Sequence, residues 1–324
     1  MIALAFRILV GCVALAAPAA ISAQAAPTAA APTAAFKAPL ATKAPLLGIA
    51  HAGSRLVAVG DFGVIVLSDD NGKTWRQASA VATRAMLTAV TFVDAQRGWA
   101  VGHGGIVLQT IDGGETWTRN HAAGADVVLL SVWFENAEHG IAVGAFGFAL
   151  ATSDGGRTWK EFTVGDGDDR DRHLNAIFSL PGGPLFMAAE AGTLFRSLDG
   201  GRTWTTLRLP YNGSVWGGLA LRGGGTLVYG MRGHALLSPD QGKSWVDVPT
   251  GTDQSWSGGL QLADGTIVLV GLGGAVAQSS DAGRSFRTTI RPERQTLAAV
   301  GEIAPGQLVV VGLTGVATHN LAAR

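Results

Sequence analysis

One short pattern recurs along this chain at a nearly constant interval and leaves few folds open to it. It reads S/T-x-D-x-G-x-S/T-W/F and occurs as SDDNGKTW, TIDGGETW, TSDGGRTW, SLDGGRTW, SPDQGKSW and SSDAGRSF. Its aspartates are Asp70, Asp112, Asp154, Asp199, Asp240 and Asp281, separated by steps of 42, 42, 45, 41 and 41 residues. Its terminal aromatics are Trp75, Trp117, Trp159, Trp204, Trp245 and Phe286. A decayed seventh copy, Thr318-His319-Asn320, follows 39 residues after Asp281. A unit of this period cannot bury its own apolar surface and must stack against its neighbours, so the chain is an array of like modules.

The frame around each copy identifies the module. In the second repeat, residues 87–92 alternate as a strand, residues 98–102 form a second, and a glycine turn leads into a third at residues 106–110. The Asp box follows, and residues 116–119 close the unit. Four short antiparallel strands per repeat make one propeller blade. The glycine turn recurs at residues 60–63, 102–105, 144–147, 230–233, 271–274 and 312–315, while the fourth repeat departs from it with Ala188-Ala189-Glu190-Ala191-Gly192. The expected fold is therefore all-β, a seven-bladed β-propeller of four-stranded antiparallel blades. The last repeat lacks a fourth strand, and residues 35–40 are left over before the first. The expectation is that this N-terminal strand completes the last blade and closes the ring, since an open edge invites aggregation.

The Asp box has a structural chemistry. Its carboxylate can accept from turn amides, its first hydroxyl can do the same, and its glycine can take the left-handed conformation. The aromatic then re-enters the sheet to pack between blades. Because the same residues recur once per blade, they lie on a ring and do not converge on one substrate, which argues against a catalytic or metal-binding role.

Composition supports one globular β domain. Lys+Arg and Asp+Glu are both 24, so no global field draws the chain to nucleic acid or to an anionic surface. Forty-six glycines in a chain with only 15% charged residues fit many tight turns. Residues 1–25 read as a signal peptide: Arg7, an apolar run over residues 8–20, and a small-x-small site at Ser22-Ala23-Gln24-Ala25. Leu9-Val10-Gly11-Cys12 resembles a lipobox, but the apolar stretch before it is short for one. Cys12 is the sole cysteine, so the mature chain has no disulfide, thiol nucleophile or cysteine metal site. Residues 26–35, rich in Ala, Pro and Thr, read as a flexible leader, and residues 36–324 as the propeller.

Two families carry these residues. Asp boxes occur in bacterial neuraminidases, and the fuller unit, a G-x-x-G turn followed by an apolar strand and S-x-D-G-G-x-T-W, is similar to the photosystem II stability/assembly factor family over residues 36–324. That resemblance implies an exported, non-catalytic, monomeric scaffold that needs no cofactor or metal and docks on a membrane protein complex or its exported domain. It would sit in a Gram-negative periplasm, or in the thylakoid lumen if the host is photosynthetic. In a non-photosynthetic host the partner would be a transporter or an envelope complex.

The expected working surface is the face shared by the inter-blade loops and the glycine turns, opposite the Asp boxes. Its candidate binding residues are Arg84, His103, Arg172, His173, Glu190, Tyr211, Arg232 and Arg294; Asp61 and Asn212 lie on the same loops. Arg84, Arg172, Arg232 and Arg294 are expected to form a basic ring for acidic groups of a partner. The acidic insertion 165–172 does not have the spacing of an EF-hand loop and reads as solvated. Trp216 and Trp256, each beside paired glycines, read as blade packing, with a platform for a sugar or a peptide as the other use. The alternative function is a sialidase-like glycoside hydrolase or a sugar-binding propeller. A sialidase needs a tyrosine nucleophile with a glutamate partner and an arginine triad. Only Tyr211 and Tyr229 exist, and the best available set is Tyr211 with Glu190 and Arg232.

Overall fold

A computed structural model describes residues 33–179 and 182–321. The signal peptide, Cys12 and residues 26–32 of the leader lie outside them. The described chain folds into seven sheets, each built from one contiguous stretch of chain and antiparallel throughout except for one short parallel pair at the outer edge of the second. Blade 1 contains Leu46–Ala52, Arg55–Gly60, Ile65–Ser68 and Arg76–Gln77, from inner to outer strand. The inner strands of blades 2 to 7 are Leu87–Phe92, Leu129–Phe134, Leu174–Phe178, Val215–Ala220, Trp256–Gln261 and Leu297–Ala304. Each inner strand packs on the next, and that of blade 7 packs on that of blade 1, so the seven sheets form a closed ring. The expected fold class is what the chain adopts.

Alternation along the second strands makes the core. Val57 and Val59 turn toward blade 2 while Ala58 turns toward blade 7, because successive side chains leave opposite faces of a sheet. The result is a separate buried apolar cluster in each of the seven gaps between blades. Between blades 2 and 3, Trp99 is fully buried, stacks on Phe134 at 3.5 Å between centroids, and donates from Nε1 to Gly155 O at 3.0 Å. Trp256 is also fully buried, with Nε1 donating to Gly233 O, so it packs blades and offers no platform.

Every inner strand carries a β-bulge at its second residue. The bulge re-aims that side chain toward the next blade. Thr88 Oγ1 donates to Leu129 O at 2.7 Å, Asn175 Nδ2 to Val215 O at 2.8 Å, and Ser257 Oγ to Leu297 O at 2.5 Å. Three of the blade seams are thus stitched by a polar side chain at the same bulge.

The Asp boxes form one hydrogen-bond unit six times over. In the first, Ser68 Oγ donates to Asp70 Oδ1, Gly72 N donates to Ser68 Oγ, and Thr74 donates from both N and Oγ1 to the two oxygens of Asp70. Trp75 Nε1 then donates to Gly72 O at 3.1 Å, a bond repeated at Trp117, Trp159 and Trp204 but not at Trp245 or Phe286. Bonds from the hydroxyl residue just before the terminal aromatic hold the Asp70, Asp154 and Asp240 carboxyls down at about 2, and against an opposing burial effect they do the same at Asp281, with the same direction at Asp112 and Asp199.

Closure differs from expectation. Among the described residues blade 7 has three strands, Leu297–Ala304, Gln307–Gly312 and Gly315–Asn320, and residues 35–40 do not pair with the last of these. They run along the blade 1–2 linker instead: Ala35 N donates to Val81 O at 2.9 Å, Ala38 N to Gln77 Oε1, and Gln77 Nε2 to Phe36 O. The strand Ala80–Val81 of that linker pairs in parallel with Thr116–Ala122 of blade 2. Pro39 and Pro45 have no amide to give a ladder, which suits residues 35–45 to an irregular path. A 3-10 turn at Ala41–Lys43 then packs against the start of the blade 7 third strand, leaving the ring closed by side-chain packing.

Candidate functional site

The face opposite the Asp boxes is built from the G-x-x-G turns and the linkers that feed each inner strand. The first glycine of each turn is required by space. A Cβ on Gly60, Gly102, Gly144, Gly230, Gly271 or Gly312 would lie 2.0–2.3 Å from the carbonyl oxygen just before the inner strand. That carbonyl accepts from the next residue of the turn, as in His103 N to Met86 O at 2.9 Å, which draws the two segments together. Blade 4 has Ala189 at this position and uses a different bond. There the Glu190 carboxylate accepts from His173 N at 3.0 Å and lies 3.4 Å from His173 Nδ1. The departure in the fourth repeat is therefore a local exchange of a backbone acceptor for a side-chain one. Glu190→Ala is expected to cost about 1 kcal/mol, the value of one partly exposed hydrogen bond, read as a lower urea midpoint at unchanged slope.

The third turn residue is the apex of each blade. It takes a left-handed conformation at Phe62, Phe146, Ala191 and Arg232, as it does at Gly104 and Gly273. A bulky side chain in this region carries a backbone cost of about 1–2 kcal/mol, so Phe62 and Phe146 are not there for turn stability. Both rings are largely exposed, at 67% and 71%. Phe146 meets His173 edge-on at 4.6 Å. Leu313, next to the blade 7 apex, is also exposed. The face thus divides by blade: aromatic or aliphatic tips on blades 7, 1 and 3, and cations on blade 5 and the blade 6–7 linker.

The four arginines do not behave alike. Arg84 donates from Nε to Ala34 O at 2.9 Å and lies 3.5 Å above the Phe36 ring, so the N-terminal segment occupies it. Arg172 pairs with Asp169 at 2.7 Å, and Asp169 also takes Arg208 at 2.6 Å. Arg232 and Arg294, both at positive φ, have no carboxylate partner among the described residues. A ring of four equivalent cations is not what forms; two remain available. His103 is exposed, and its backbone bridges to Val128. The insertion around Asp169 is held by its own ion pairs, and the described residues contain no cluster of three metal-ligating side chains.

Tyr211, Glu190 and Arg232 do not assemble into a reacting set. Tyr211 Oη donates to Met231 O at 3.1 Å, and its ring lies 4.1 Å from that of His234. Burial raises its phenol above the usual value, with the Arg232 charge opposing this in part. A tyrosine nucleophile needs the opposite shift. Glu190 is engaged by His173, as above.

Residues 119–217 match the family model of the photosynthesis system II assembly factor YCF48. Solved structures of similar shape include "YCF48 bound to D1 peptide", with a TM-score of 0.70 at 17% identity over 90% of this chain and 97% of that one. YCF48 from Cyanidioschyzon merolae has a TM-score of 0.67 at 17% identity over 87% and 96%. The WD40 β-propeller domain of Doa1 has 0.66 at 14% identity over 88% and 94%. No curated protein matches in sequence. The chain is a seven-bladed propeller similar to the photosystem II assembly factors. No helix among the described residues is long and apolar enough to cross a membrane.

Proposed function

We propose that this protein is a non-catalytic scaffold that binds an exported segment of a membrane protein through the turn-and-linker face. The observation carrying this reading is the pair of strained, exposed apices Phe62 and Phe146, set on the same face as Arg232 and Arg294, which have no carboxylate partner among the described residues. Identical Asp boxes maintain the ring, whereas these residues differ from blade to blade and so can carry specificity. Aromatic and arginine side chains are the ones that dominate binding energy at protein interfaces. The family match adds support, since a YCF48 structure is described with a D1 peptide bound. An exported location, in periplasm or thylakoid lumen, rests on residues 1–25.

The test is recovery of partners from solubilised envelope on tagged protein. The comparison is wild type against a variant carrying Phe62→Asn, Phe146→Asn, Arg232→Glu and Arg294→Glu. Asparagine suits the left-handed apex, so the fold is retained while the contact is lost. Partner recovery is expected to fall at least about tenfold, the loss of a few hot-spot contacts. Equal recovery removes the turn face as the docking site, and turnover of a sialoside by the purified protein replaces the scaffold with the hydrolase.

A further inference from the structure

The turn face is not the only surface where the repeats differ. In blades 1 to 6 the third strand is followed by an Asp box and an outer strand that pairs with it. In blade 7 the third strand, Gly315–Asn320, has no partner on its outer side among the described residues. It is also the longest of the seven third strands, with six residues. We propose that this edge is a second binding site, which takes an extended acidic peptide segment as the fourth strand of blade 7.

The backbone is presented for this. The strand pairs with Gln307–Gly312 on one side. On the other side Thr318 O accepts from Arg291 Nη1 at 2.9 Å, which shows that the Thr318 peptide group faces outward. Alternation then turns the N–H and C=O groups of Val316 and Asn320 the same way. The space beside the edge is walled on both faces. A cavity of about 420 Å³ lies against blade 6, lined by Val276, Thr289, Ile290, Arg291, Thr318 and His319. Another of about 420 Å³ lies on the blade 1 side, bounded by Lys43, Gly72, Trp75 and Val316. A strand laid along the edge would therefore have apolar contacts above and below as well as a ladder, as the outer strands of other blades do.

The charges select the occupant. Arg287, Arg291 and Lys43 line these cavities against the single carboxylate of Glu293, which lies 3.5 Å from Arg291. A basic lining favours an acidic segment. It disfavours a second copy, because two such edges would bring the same cations together. The chain's own residues 34–38 are engaged along the blade 1–2 linker. In the free protein the Arg291 guanidinium shields the edge, a common defence of exposed strands. On binding it would leave Thr318 O to the peptide amide and turn to a peptide carboxylate. This mode is strand addition to a sheet edge, in which the main chain supplies affinity and side chains supply selectivity. It does not depend on the turn-face reading, and the variant used to test that face should leave it intact.

The test uses the full chain and three fluorescent synthetic peptides. One alternates valine with glutamate, one alternates valine with lysine, and one is the glutamate peptide N-methylated at every second backbone nitrogen. Anisotropy is expected to give the glutamate peptide at least about tenfold tighter binding than either of the others. Hydrogen exchange is expected to slow at the Val316, Thr318 and Asn320 amides on binding. Thr318→Pro removes an outward N–H at a position where an edge strand tolerates proline, and should weaken binding at least about tenfold. Arg291→Glu should shift the preference toward the lysine peptide. Equal binding of the N-methylated peptide overturns the proposal, as does absence of binding up to about 1 mM. So does protection of the three amides in the free protein: if concentration-dependent, it assigns the edge to a second copy, and if not, to the chain itself.

Discussion

Trp99→Ala is expected to lower the unfolding free energy by about 3–5 kcal/mol, among the largest effects of any single substitution in this chain. The side chain is wholly buried between blades 2 and 3, and its ring lies flat on Phe134, 7° from parallel. Phe134 in turn meets Trp159 of the Asp box edge-on at 5.9 Å. Truncation would remove one ring from a three-ring stack and leave a gap that two rigid sheets cannot close. The lost indole hydrogen bond matters less, because Gly155 O also accepts from Gln109 Nε2 at 3.0 Å. Trp99→Phe should therefore cost only about 1 kcal/mol beyond the change in volume. Chemical denaturation of both variants checks the pair. Near-wild-type stability of the alanine variant would mean that the gaps between blades do not carry the fold.

Acidification is expected to unfold the protein over a narrow window. The carboxyls of Asp70, Asp154, Asp240 and Asp281 lie near 2 in the folded protein, below the ordinary aspartate value, and Asp112 and Asp199 shift the same way. A carboxyl depressed by folding is protonated first in the unfolded chain. Between roughly pH 4 and pH 2 the unfolded state therefore binds more protons than the folded one, and stability falls with pH. Above that window the contribution of these groups is complete and flat. Six boxes titrating together should make the fall steep. Tm measured from pH 7 to pH 2 checks this: a level profile down to about pH 4.5 and a sharp decline below it are expected. A decline that begins near neutrality would assign the pH sensitivity to histidines instead.

The blade count and the Asp-box chemistry were legible because both are periodic. A residue that recurs at fixed spacing in six copies can be assigned a role from any one of them. The glycine turns were legible as turns, but their first glycines serve a close approach to a neighbouring carbonyl, and that distance has no signature in a sequence. The Ala189 and Glu190 departure stood out as an irregularity. Its meaning needed the His173 amide, 17 positions upstream of Glu190 and brought close only by the fold. The pairing of Arg84 with Phe36 and of Arg172 with Asp169 also went unread, since each happens once. Such contacts decide which charges of the turn face remain available, and none of them has a periodic signature. The path of residues 35–40 does not follow from a general preference against open edges, because it is set by single contacts with Gln77 and Val81. The structure satisfies those residues along another edge.

That path has a consequence for biogenesis. In a ring fastened by exchange of a terminal strand, the strand made first stays without its sheet until the last blade has been synthesised. Here blade 1 is whole by Gln77, and each later sheet is finished from its own stretch of chain. Pairings of short sequence separation form early and fast. The molecule can thus assemble in the order of its synthesis, with only the final docking of blade 7 onto blade 1 waiting for the end.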